Sequence, residues 1–385
     1  MSLRRPLRIA MVAGEASGDL LGAGLIRELK KHRLPLEFEG IGGTQMIMEG
    51  IQSFFNMERL SVMGIGDVLK RYPELYRIRR QLLNQWIHHP PDIFIGIDYS
   101  DFNLWLAKKL KQRGVKTIQY VSPKVWAWRQ KRVFHIKEAV DLVLTLFPFE
   151  EQFYQKYEVP AQFVGHPLAD DIDLDMDTKQ KKIQLGLNSQ EQHIAVLPGS
   201  RAGEIKYMGP LFLNVIQKIY AQHQQVHFMV PLANANLQNM FQKQLEGRGI
   251  KANIQISTQN AREVMAAADV VLAKSGTTTL EAMLLKKPMV VAFKWGAITH
   301  AFIAPQLKIP FISLPNLLAN RELVPEYLQS KALAQPIAQQ ILQLLQIPEH
   351  HQLTQQFREI HKDLRQNANE KAALAVLKVL DAASA

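Results

Sequence analysis

Short apolar runs alternate along the chain with longer segments in which apolar residues recur at helical spacing. The runs of strand length occupy residues 7–13, 38–43, 92–98, 117–121, 142–146, 194–197, 226–230, 254–256, 270–273 and 289–293. Strands that alternate with helices are typical of parallel α/β sheets, so the pattern predicts Rossmann-like lobes. Pro315–Asn316 is predicted to close one more strand-end loop. Helices alone are predicted after it, at 333–345, 349–364 and 370–383.

One helical segment, at residues 68–80, combines an apolar face with a basic one. Its apolar positions alternate with lysine and arginine; they are Val68, Leu69, Tyr72, Leu75 and Tyr76. A basic face beside an apolar face is typical of a helix lying in a lipid interface. The alternative is a surface helix that packs its apolar stripe on the core. Pro73 predicts that a helix starts or breaks there.

The length of 385 residues exceeds what one hydrophobic core usually serves, so two domains are expected. Hydrophobic residues make up 47% and charged residues 21%, as in an ordinary globular protein. The acidic stretch 169–177 follows a Gly-His-Pro turn and precedes a polar, lysine-bearing stretch, which is typical of a hinge between lobes. Its Asp-x-Asp spacing also resembles a metal motif, but the hinge is the favoured interpretation.

The formal net charge of +11 indicates an anionic partner, which could be nucleic acid, acidic lipid or a phosphorylated substrate. The sequence shows no RNA-recognition signature or zinc finger, so nucleic acid is disfavoured. The chain has no cysteine, which excludes disulfides and thiolate nucleophiles and fits a reducing cytoplasm. The first apolar run, residues 9–13, is too short for a signal peptide or a membrane span, so a soluble or surface-attached protein is expected.

The segment 270–285 predicts an anion site. A short buried strand ends at Ser275, Gly276 and Thr277, and an apolar-periodic helix follows. The free N–H groups of such a turn and the positive end of the helix dipole attract phosphate. Glu281, one turn into the helix, could accept bonds from the hydroxyls of a ribose. Thr278 and Glu281 would also form a capping box, and that interpretation stays open.

A second turn of the same half, at Gly199, Ser200 and Arg201, also favours phosphate binding. Glycine lets the backbone approach a ligand closely, and an arginine can bind two phosphate oxygens at once. The alternative is a surface arginine that follows a turn.

In the first half, Asp98 ends the buried strand 92–98 and is placed like a general base. Its competing role is a helix N-cap. Glu15, Ser17 and Asp19 follow the first strand in a Gly-x-x-x-Gly turn that matches neither a dinucleotide fingerprint nor a P-loop. They are cleft residues, or Ser17 and Asp19 cap the helix.

The turn 122–129 carries two tryptophans and two cations. Trp126 and Arg129 suit stacking against a sugar, an acyl chain or a phosphate. A wedged structural loop is the alternative.

Taken together, these segments resemble the lipid-A-disaccharide synthases, which are GT-B glycosyltransferases. The matching motifs are AGEASGD at 13–19, SVMG at 61–64, YVSPKVWAWR at 120–129, FVGHP at 163–167, LPGSR at 197–201 and SGTTTLE at 275–281. The tryptophan motif and AGEASGD are the most particular of them. One departure is Ser100, where the family pattern has proline. It alters the turn after Asp98 and leaves Asp98 in place.

The resemblance implies two Rossmann-like lobes with a cleft between them. Residues 1–168 would form an acceptor- and membrane-facing lobe, residues 169–345 a UDP-sugar-binding lobe, and helices within 346–385 would pack back on the first lobe. Whether these helices stay in the same subunit or exchange with a partner in a homodimer is left open.

The resemblance also implies the reaction. UDP-2,3-diacylglucosamine would donate its sugar to the 6-hydroxyl of 2,3-diacylglucosamine 1-phosphate (lipid X), giving a β(1→6) disaccharide phosphate for lipid A and lipopolysaccharide, and UDP. Inversion at the sugar needs a base, which is Asp98, and a cation for the departing diphosphate, which is Arg201. No metal or other cofactor is expected. Glu281 would hold the ribose, with Gln259 and Asn316 as weaker donor-site predictions.

Because both substrates carry acyl chains, the enzyme is expected to work on the anionic cytoplasmic face of the inner membrane. The 68–76 helix and Met208 are the predicted membrane contacts. The nearest rival is another GT-B enzyme acting on UDP-N-acetylglucosamine, such as a peptidoglycan transferase or an epimerase. A rival from another class is a basic module without catalysis that binds RNA or anionic membrane.

Overall fold

The computed structural model describes residues 5–60, 65–294, 296, 306–347 and 350–381, and for 65–70 the backbone alone. The chain forms two compact units. Unit 1 comprises Met1–Asp170 with Leu364–Ala385, and unit 2 comprises Asp171–Asp363. The predicted boundary at 345/346 therefore lies inside unit 2, and the chain returns to unit 1 only at Leu364.

Unit 1 is built on a seven-stranded parallel sheet. Its strands are β1 (Leu7–Ala13), β2 (Leu36–Ile41), β3 (Gln52–Ser53), β4 (Ile93–Ile97), β5 (Lys116–Tyr120), β6 (Leu142–Thr145) and β7 (Ala161–Phe163), in the spatial order β3-β2-β1-β4-β5-β6-β7. Its helices are α1 (Ala16–Lys31), α2 (Thr44–Met48), α3 (Ile65–His88), α4 (Ser100–Lys111), α5 (Val133–Ala139), α6 (Pro148–Gln155), α7 (Pro167–Asp171, whose last residue falls in unit 2) and, after the second unit, a last helix at Ala368–Asp381.

Unit 2 is built on a six-stranded parallel sheet. Its strands are β8 (His193–Leu197), β9 (His227–Pro231), β10 (Asn253–Ser257), β11 (Val270–Lys274), β12 (Met289–Phe293) and β13 (Glu326–Leu328), in the order β10-β9-β8-β11-β12-β13. Its helices are α8 (Thr178–Gln184), α9 (Ala202–Tyr220), α10 (Ala235–Glu246), α11 (Ala261–Ala267), α12 (Thr277–Leu284), α13 (Leu314–Ala319), α14 (Ala334–Gln346) and α15 (His351–Leu364), and the last helix of unit 1 is α16.

The central strands β1, β4, β8 and β11 are buried on both faces. In β1, Ile9 and Met11 pack with α1 and α16, whereas Ala10 and Val12 pack with α3 and α4 on the opposite face. A parallel sheet covered on both faces has no polar side, which is why its strands show no alternation. Two such parallel sheets confirm the predicted α/β class with two Rossmann-like lobes.

Helix α3 runs through Pro73 without a break, so the predicted start or break there is wrong. A proline inside a helix removes one backbone hydrogen bond and clashes with the preceding turn. The stripe that follows it is buried in the core of unit 1, and it consists of Leu75, Ile78, Leu82 and Trp86. Burial of this stripe offsets the cost of the proline.

The strand order of each sheet reverses once, between β1 and β4 in unit 1 and between β8 and β11 in unit 2. Ligands of open α/β sheets bind beyond the carboxyl ends of the strands at such switch points. The loops after Ala13 and Ile97, and those after Leu197 and Lys274, are therefore the places to look for chemistry.

Candidate functional site

Asp98 lies at the switch point of unit 1, directly after β4. Its backbone N–H donates to the Tyr120 carbonyl at 2.8 Å. The carboxyl is half-buried, and this burial raises its pKa above the ordinary value, opposed by the Lys124 ammonium and the Tyr99 N–H. The N-cap of α4 is Tyr99, so Asp98 does not have the competing capping role. A half-buried carboxyl with a raised pKa at a strand end suits proton abstraction.

The loop after β1 faces the same switch point. Gly14 leaves room for the Tyr99 ring, since a Cβ at Gly14 would lie 2.5 Å from Tyr99 Cγ. Burial raises the pKa of Tyr99, and the nearby Glu15 carboxylate raises it further. Glu15 is half-buried and Ser17 is exposed. Glu15, near Tyr99, therefore remains a candidate cleft residue, and so does Ser17.

Asp19 has a different role from the predicted ones. Its buried carboxylate accepts the backbone N–H groups of Gly43, Gln45 and Met46 at 2.8, 2.9 and 3.0 Å. It thus caps α2 rather than its own helix, and both oxygens are occupied. The prediction that Asp19 is a cleft residue is wrong, because its carboxylate is bonded to three backbone N–H groups at the start of α2, 24 to 27 residues further along the chain.

The tryptophan loop after β5 is anchored at Trp126. The indole N–H donates to Glu150 at 3.0 Å, and the ring meets Phe149 edge-on at 4.8 Å between centroids. Burial raises the pKa of Glu150 to about 7. Trp126 is half-buried, as a wedged loop requires, while Arg129 is exposed with its guanidinium 4.5 Å from the Trp128 ring centroid. The same Lys124 ammonium acts on both Asp98 and Glu150.

In unit 2, the turn after β8 is shaped by Glu204. Gly199 has φ +136°, and a Cβ there would lie 2.5 Å from the Glu204 side chain. The Ser200 N–H donates to Glu204 at 2.9 Å, and Lys274 at the end of β11 donates to the other carboxylate oxygen at 2.9 Å. Because β8 and β11 are neighbours, this ion pair joins the two predicted phosphate turns. Exposed Arg201 is the N-cap residue of α9, and its charge acts on Glu204.

The second phosphate turn, after β11, has the predicted strand–turn–helix form. Gly276 has φ +153° and is the N-cap of α12, whose first residue is Thr277. The Ser275 hydroxyl donates to the Ile312 carbonyl at 2.9 Å. A glycine N-cap has no side chain, so the capping box with Glu281 does not form. Glu281 instead pairs with Arg262 of α11 at 3.3 Å.

The two weaker donor-site predictions differ in outcome. Gln259 is exposed on the loop after β10 and stays a prediction. Asn316 is fully buried in α13, not in a strand-end loop. Its Oδ1 accepts the N–H groups of Leu323 and Val324 at 2.7 and 2.9 Å, and its Nδ2 donates to Val324 and Glu326 at 2.8 Å each. Its amide is committed to holding the chain before β13, so the donor-site prediction for Asn316 is wrong.

Replacing Asn316 by alanine is therefore expected to destabilise unit 2 without changing UDP affinity. The variant leaves the N–H groups of Leu323 and Val324 without their acceptor and removes the two donors of the amide, which costs about 2–4 kcal/mol. Urea unfolding measures the loss, and UDP titration of the folded fraction checks the affinity. Gln259→Ala, at an exposed site, should change stability by less than about 0.5 kcal/mol. Normal stability with lost UDP binding in Asn316→Ala would restore the donor-site role.

The predicted membrane contacts divide into three groups. Tyr72 and Tyr76 of α3 are exposed, at 56% and 42% of their surface. Leu75 is buried against unit 1, and Met208 is fully buried in the core of unit 2, where its sulfur accepts the Lys294 N–H. These last two predictions are wrong, because each side chain faces its own core. The side chains of Val68 and Leu69, and the whole motif at 61–64, lie outside the described residues.

The acidic stretch holds the chain together at several separate points. Asp170 accepts the N–H groups of Asn367 and Ala368, Asp175 pairs with Arg358, and Asp177 caps α8. Within the described part of the chain, the one cluster with metal-ligand spacing is elsewhere, at Glu191, His193 and His227. It lies at the amino-terminal ends of β8 and β9, and Glu191 and His227 already pair at 2.9 Å.

Several site residues escaped the sequence patterns. Glu204 and Lys274 form an ion pair although they are 70 positions apart in sequence, and no motif in either segment predicts this contact. Arg262, which binds Glu281, and Glu150, which binds Trp126, are separated from their partners by 19 and 24 positions. The one available signal is that Lys274 directly precedes the Ser-Gly-Thr turn.

The sequence matches one protein family over nearly its full length. A family model described as lipid-A-disaccharide synthetase covers residues 9–379. Lipid-A-disaccharide synthase 2 of Legionella pneumophila strain Lens is 61% identical over 385 residues, with all of both chains covered. Lipid-A-disaccharide synthase of Hahella chejuensis is 47% identical over 377 residues, covering 98% of this chain and 95% of the relative.

Solved structures of other enzymes share the fold. UDP-GlcNAc 2-epimerase from Neisseria meningitidis is similar with a TM-score of 0.67 and 15% identity, over 97% of this chain and all of the epimerase chain. The calicheamicin glycosyltransferase CalG4 is similar with a TM-score of 0.62 and 13% identity, over 99% of this chain and 100% of the CalG4 chain. These likenesses confirm the GT-B architecture and carry no information on the substrate.

Proposed function

The chain belongs to the lipid-A-disaccharide synthetase family, and we propose from that premise that it joins UDP-2,3-diacylglucosamine to lipid X. It is a glycosyltransferase, and its products are the β(1→6) disaccharide 1-phosphate and UDP. The observation that carries the proposal is the family match over residues 9–379. The positions of the phosphate turns and of Asp98, each at a topological switch point, agree with it.

Asp98 is the base in this proposal. Its carboxylate takes the proton of the acceptor 6-hydroxyl while that oxygen attacks C1 of the donor sugar. The bond from C1 to the diphosphate oxygen breaks on the opposite face, so the configuration inverts and UDP leaves. The raised pKa of Asp98 suits this task, because a more basic carboxylate accepts a proton more readily.

The second unit stabilises the departing UDP. Arg201 is the N-cap residue of α9, and the N–H groups of the turn 275–277 open α12. Together they bind the charge that develops on the diphosphate. Glu204 and Lys274 fix the distance between the two turns, and Arg262 orients Glu281 toward a ribose.

A donor comparison tests the proposal against its nearest rival. UDP release is measured with lipid X and either the diacylated donor or plain UDP-N-acetylglucosamine. We expect release with the diacylated donor only, and only when lipid X is present. Turnover of UDP-N-acetylglucosamine alone would instead identify an epimerase or a peptidoglycan transferase.

We propose further that α3 of unit 1 contacts the cytoplasmic face of an anionic membrane. Within the described residues, no helix combines the length and apolarity needed to cross a bilayer. Tyr72 and Tyr76 are exposed on α3 beside the exposed Arg77 and Arg80, and the Arg80 guanidinium lies 5.9 Å from the Tyr76 ring. Exposed aromatic rings next to arginines suit a lipid headgroup layer.

Replacing Tyr72 and Tyr76 together by serine should weaken vesicle binding about thirtyfold. We assign each ring about 1 kcal/mol of binding free energy, which is less than full burial of a large apolar side chain contributes, and two such losses correspond to about thirtyfold in affinity. Cosedimentation with vesicles of mixed neutral and anionic phospholipid gives the partition. Tyr207→Ser removes a tyrosine that is 51% exposed in unit 2 and should leave binding unchanged. Equal binding by the double variant and wild type would exclude α3 as the contact.

The homodimer stays a prediction, which light scattering in solution tests. In the single chain, α16 packs on α1 of its own unit through Ala372, Ala373 and Val376.

A further inference from the structure

The chain makes an unusual turn where β4 delivers Asp98. Asp98 and Tyr99 have φ values of +50° and +32°, two consecutive non-glycine residues in the left-handed region. Side chains disfavour this conformation, which persists only where the surroundings enforce it. The direction of the Asp98 carboxyl depends on the turn, so whatever holds the turn also aims the carboxyl.

Two buried side-chain amides hold it. Asn103, fully buried in α4, donates from Nδ2 to the carbonyls of Val12, Ile97 and Asp98 at 3.1, 3.4 and 3.1 Å. Gln119, 1% exposed on β5, donates from Nε2 to the Asp98 carbonyl at 2.9 Å. The Asp98 carbonyl thus receives two donors, and Asn103 ties β1 to β4 across the switch point.

Burying these two amides costs free energy, because one oxygen atom of each has no partner in the described part of the chain. Among the described atoms, Asn103 Oδ1 and Gln119 Oε1 are buried without a hydrogen-bond partner. Both amides also need a glycine at position 96, because a Cβ there would lie 2.6 Å from Asn103 Cβ and 3.0 Å from Gln119 Oε1. Apolar side chains of similar size would avoid the unpaired oxygens, so the amides point to a positional role.

We propose that Asn103, assisted by Gln119, is a positioning residue that holds the left-handed turn and thereby aims the Asp98 carboxylate at the acceptor hydroxyl. This inference rests on the proposed function of Asp98 as the base. It assigns no contact with substrate to either amide.

The test compares Asn103→Leu and Gln119→Met with wild type. Each replaces an amide by an apolar side chain of similar size. We expect kcat to fall more than tenfold in Asn103→Leu and less in Gln119→Met, with UDP affinity within twofold of wild type. Because a relaxed turn exposes the carboxyl, the acidic limb of the kcat–pH profile should move toward the ordinary aspartate value of 3.8.

Thr117→Val is the matched control. Thr117 is a fully buried polar residue near the start of the strand that carries Gln119, and its hydroxyl donates to the carbonyl of Ala139 in α5 at 3.0 Å. This variant should lose stability but keep both kcat and the pH limb. If Asn103→Leu does not fold, Gly96→Ala displaces the same amide and should shift the limb in the same direction.

A double variant separates this inference from the base assignment. Asp98→Asn combined with Gln119→Met should have the same kcat as Asp98→Asn alone, since Gln119 acts through Asp98. Full turnover by Asp98→Asn would overturn both ideas. An inactive Asp98→Asn beside amide variants with a normal kcat and pH limb would overturn the positioning role and leave Asp98 as the base.

Discussion

Asp98→Asn is expected to lower kcat by about 10²–10⁴, the range that a general base contributes. The asparagine has nearly the same shape but cannot accept the proton of the acceptor hydroxyl. UDP affinity should stay within twofold, because the nucleotide contacts are proposed for unit 2. Steady-state UDP release and UDP titration measure the two quantities on the same preparation.

The pH dependence of the wild-type enzyme tests the same assignment. Burial raises the Asp98 pKa above 3.8, and only the deprotonated carboxylate can accept a proton. As the pH falls through the raised pKa, kcat should therefore decline tenfold per pH unit. Asp98→Asn should lose this limb.

Asp101→Asn is the control for Asp98. Asp101 lies three residues further on, its side chain is 83% exposed, and it pairs with Arg132. This variant removes a carboxylate from the same helix start and should keep normal turnover and a normal pH limb. Near-normal kcat in Asp98→Asn would exclude Asp98 as the base.

Arg201→Ala should reduce both UDP affinity and turnover. A hydrogen bond to a charged group is worth about 1.5–3 kcal/mol, so the affinity for UDP should fall about tenfold to a hundredfold. A donor aimed at developing charge contributes about 10²–10³ in kcat, which sets the expected loss of turnover. Isothermal titration with UDP and initial rates with both acylated substrates give the two numbers.

Two further variants define the role of Arg201. Arg201→Lys keeps the charge but loses the planar two-point contact, so its values should fall between wild type and alanine. Arg248→Ala removes a cation of the same unit that bonds Asn214, and it should change neither number. If Arg201→Ala bound UDP as tightly as wild type, the guanidinium would have no part in the donor site.

The sequence predicted the elements whose signals are local. The strand at 7–13 is predicted with the bounds that the structure shows, and a strand, turn and helix are predicted within 270–285 from the apolar run, the Ser-Gly-Thr turn and the helical spacing. Asp98 is predicted as a site residue because it ends a buried strand, and ligands bind at strand ends in parallel sheets. Length and motifs together predicted two lobes of one class.

The errors arose where a side chain has partners that are distant in sequence. Asp19 and Asn316 carry polar groups that suit a ligand, and in the fold backbone N–H groups claim them. Met208 is apolar like a membrane contact, but the helix containing it turns that side chain into the core. Pro73 breaks an isolated helix, and the buried stripe that follows it is a tertiary contact.

The sequence by itself determined the class of fold and the order of its elements, because hydrophobic periodicity and turn residues act over a few positions. Only the tertiary structure decided which polar groups remain available to a ligand. That choice depends on pairs such as Glu204 with Lys274 and Asn103 with Val12, separated by 70 and 91 positions. The strand order brings these residues together, and a local sequence pattern does not predict the strand order.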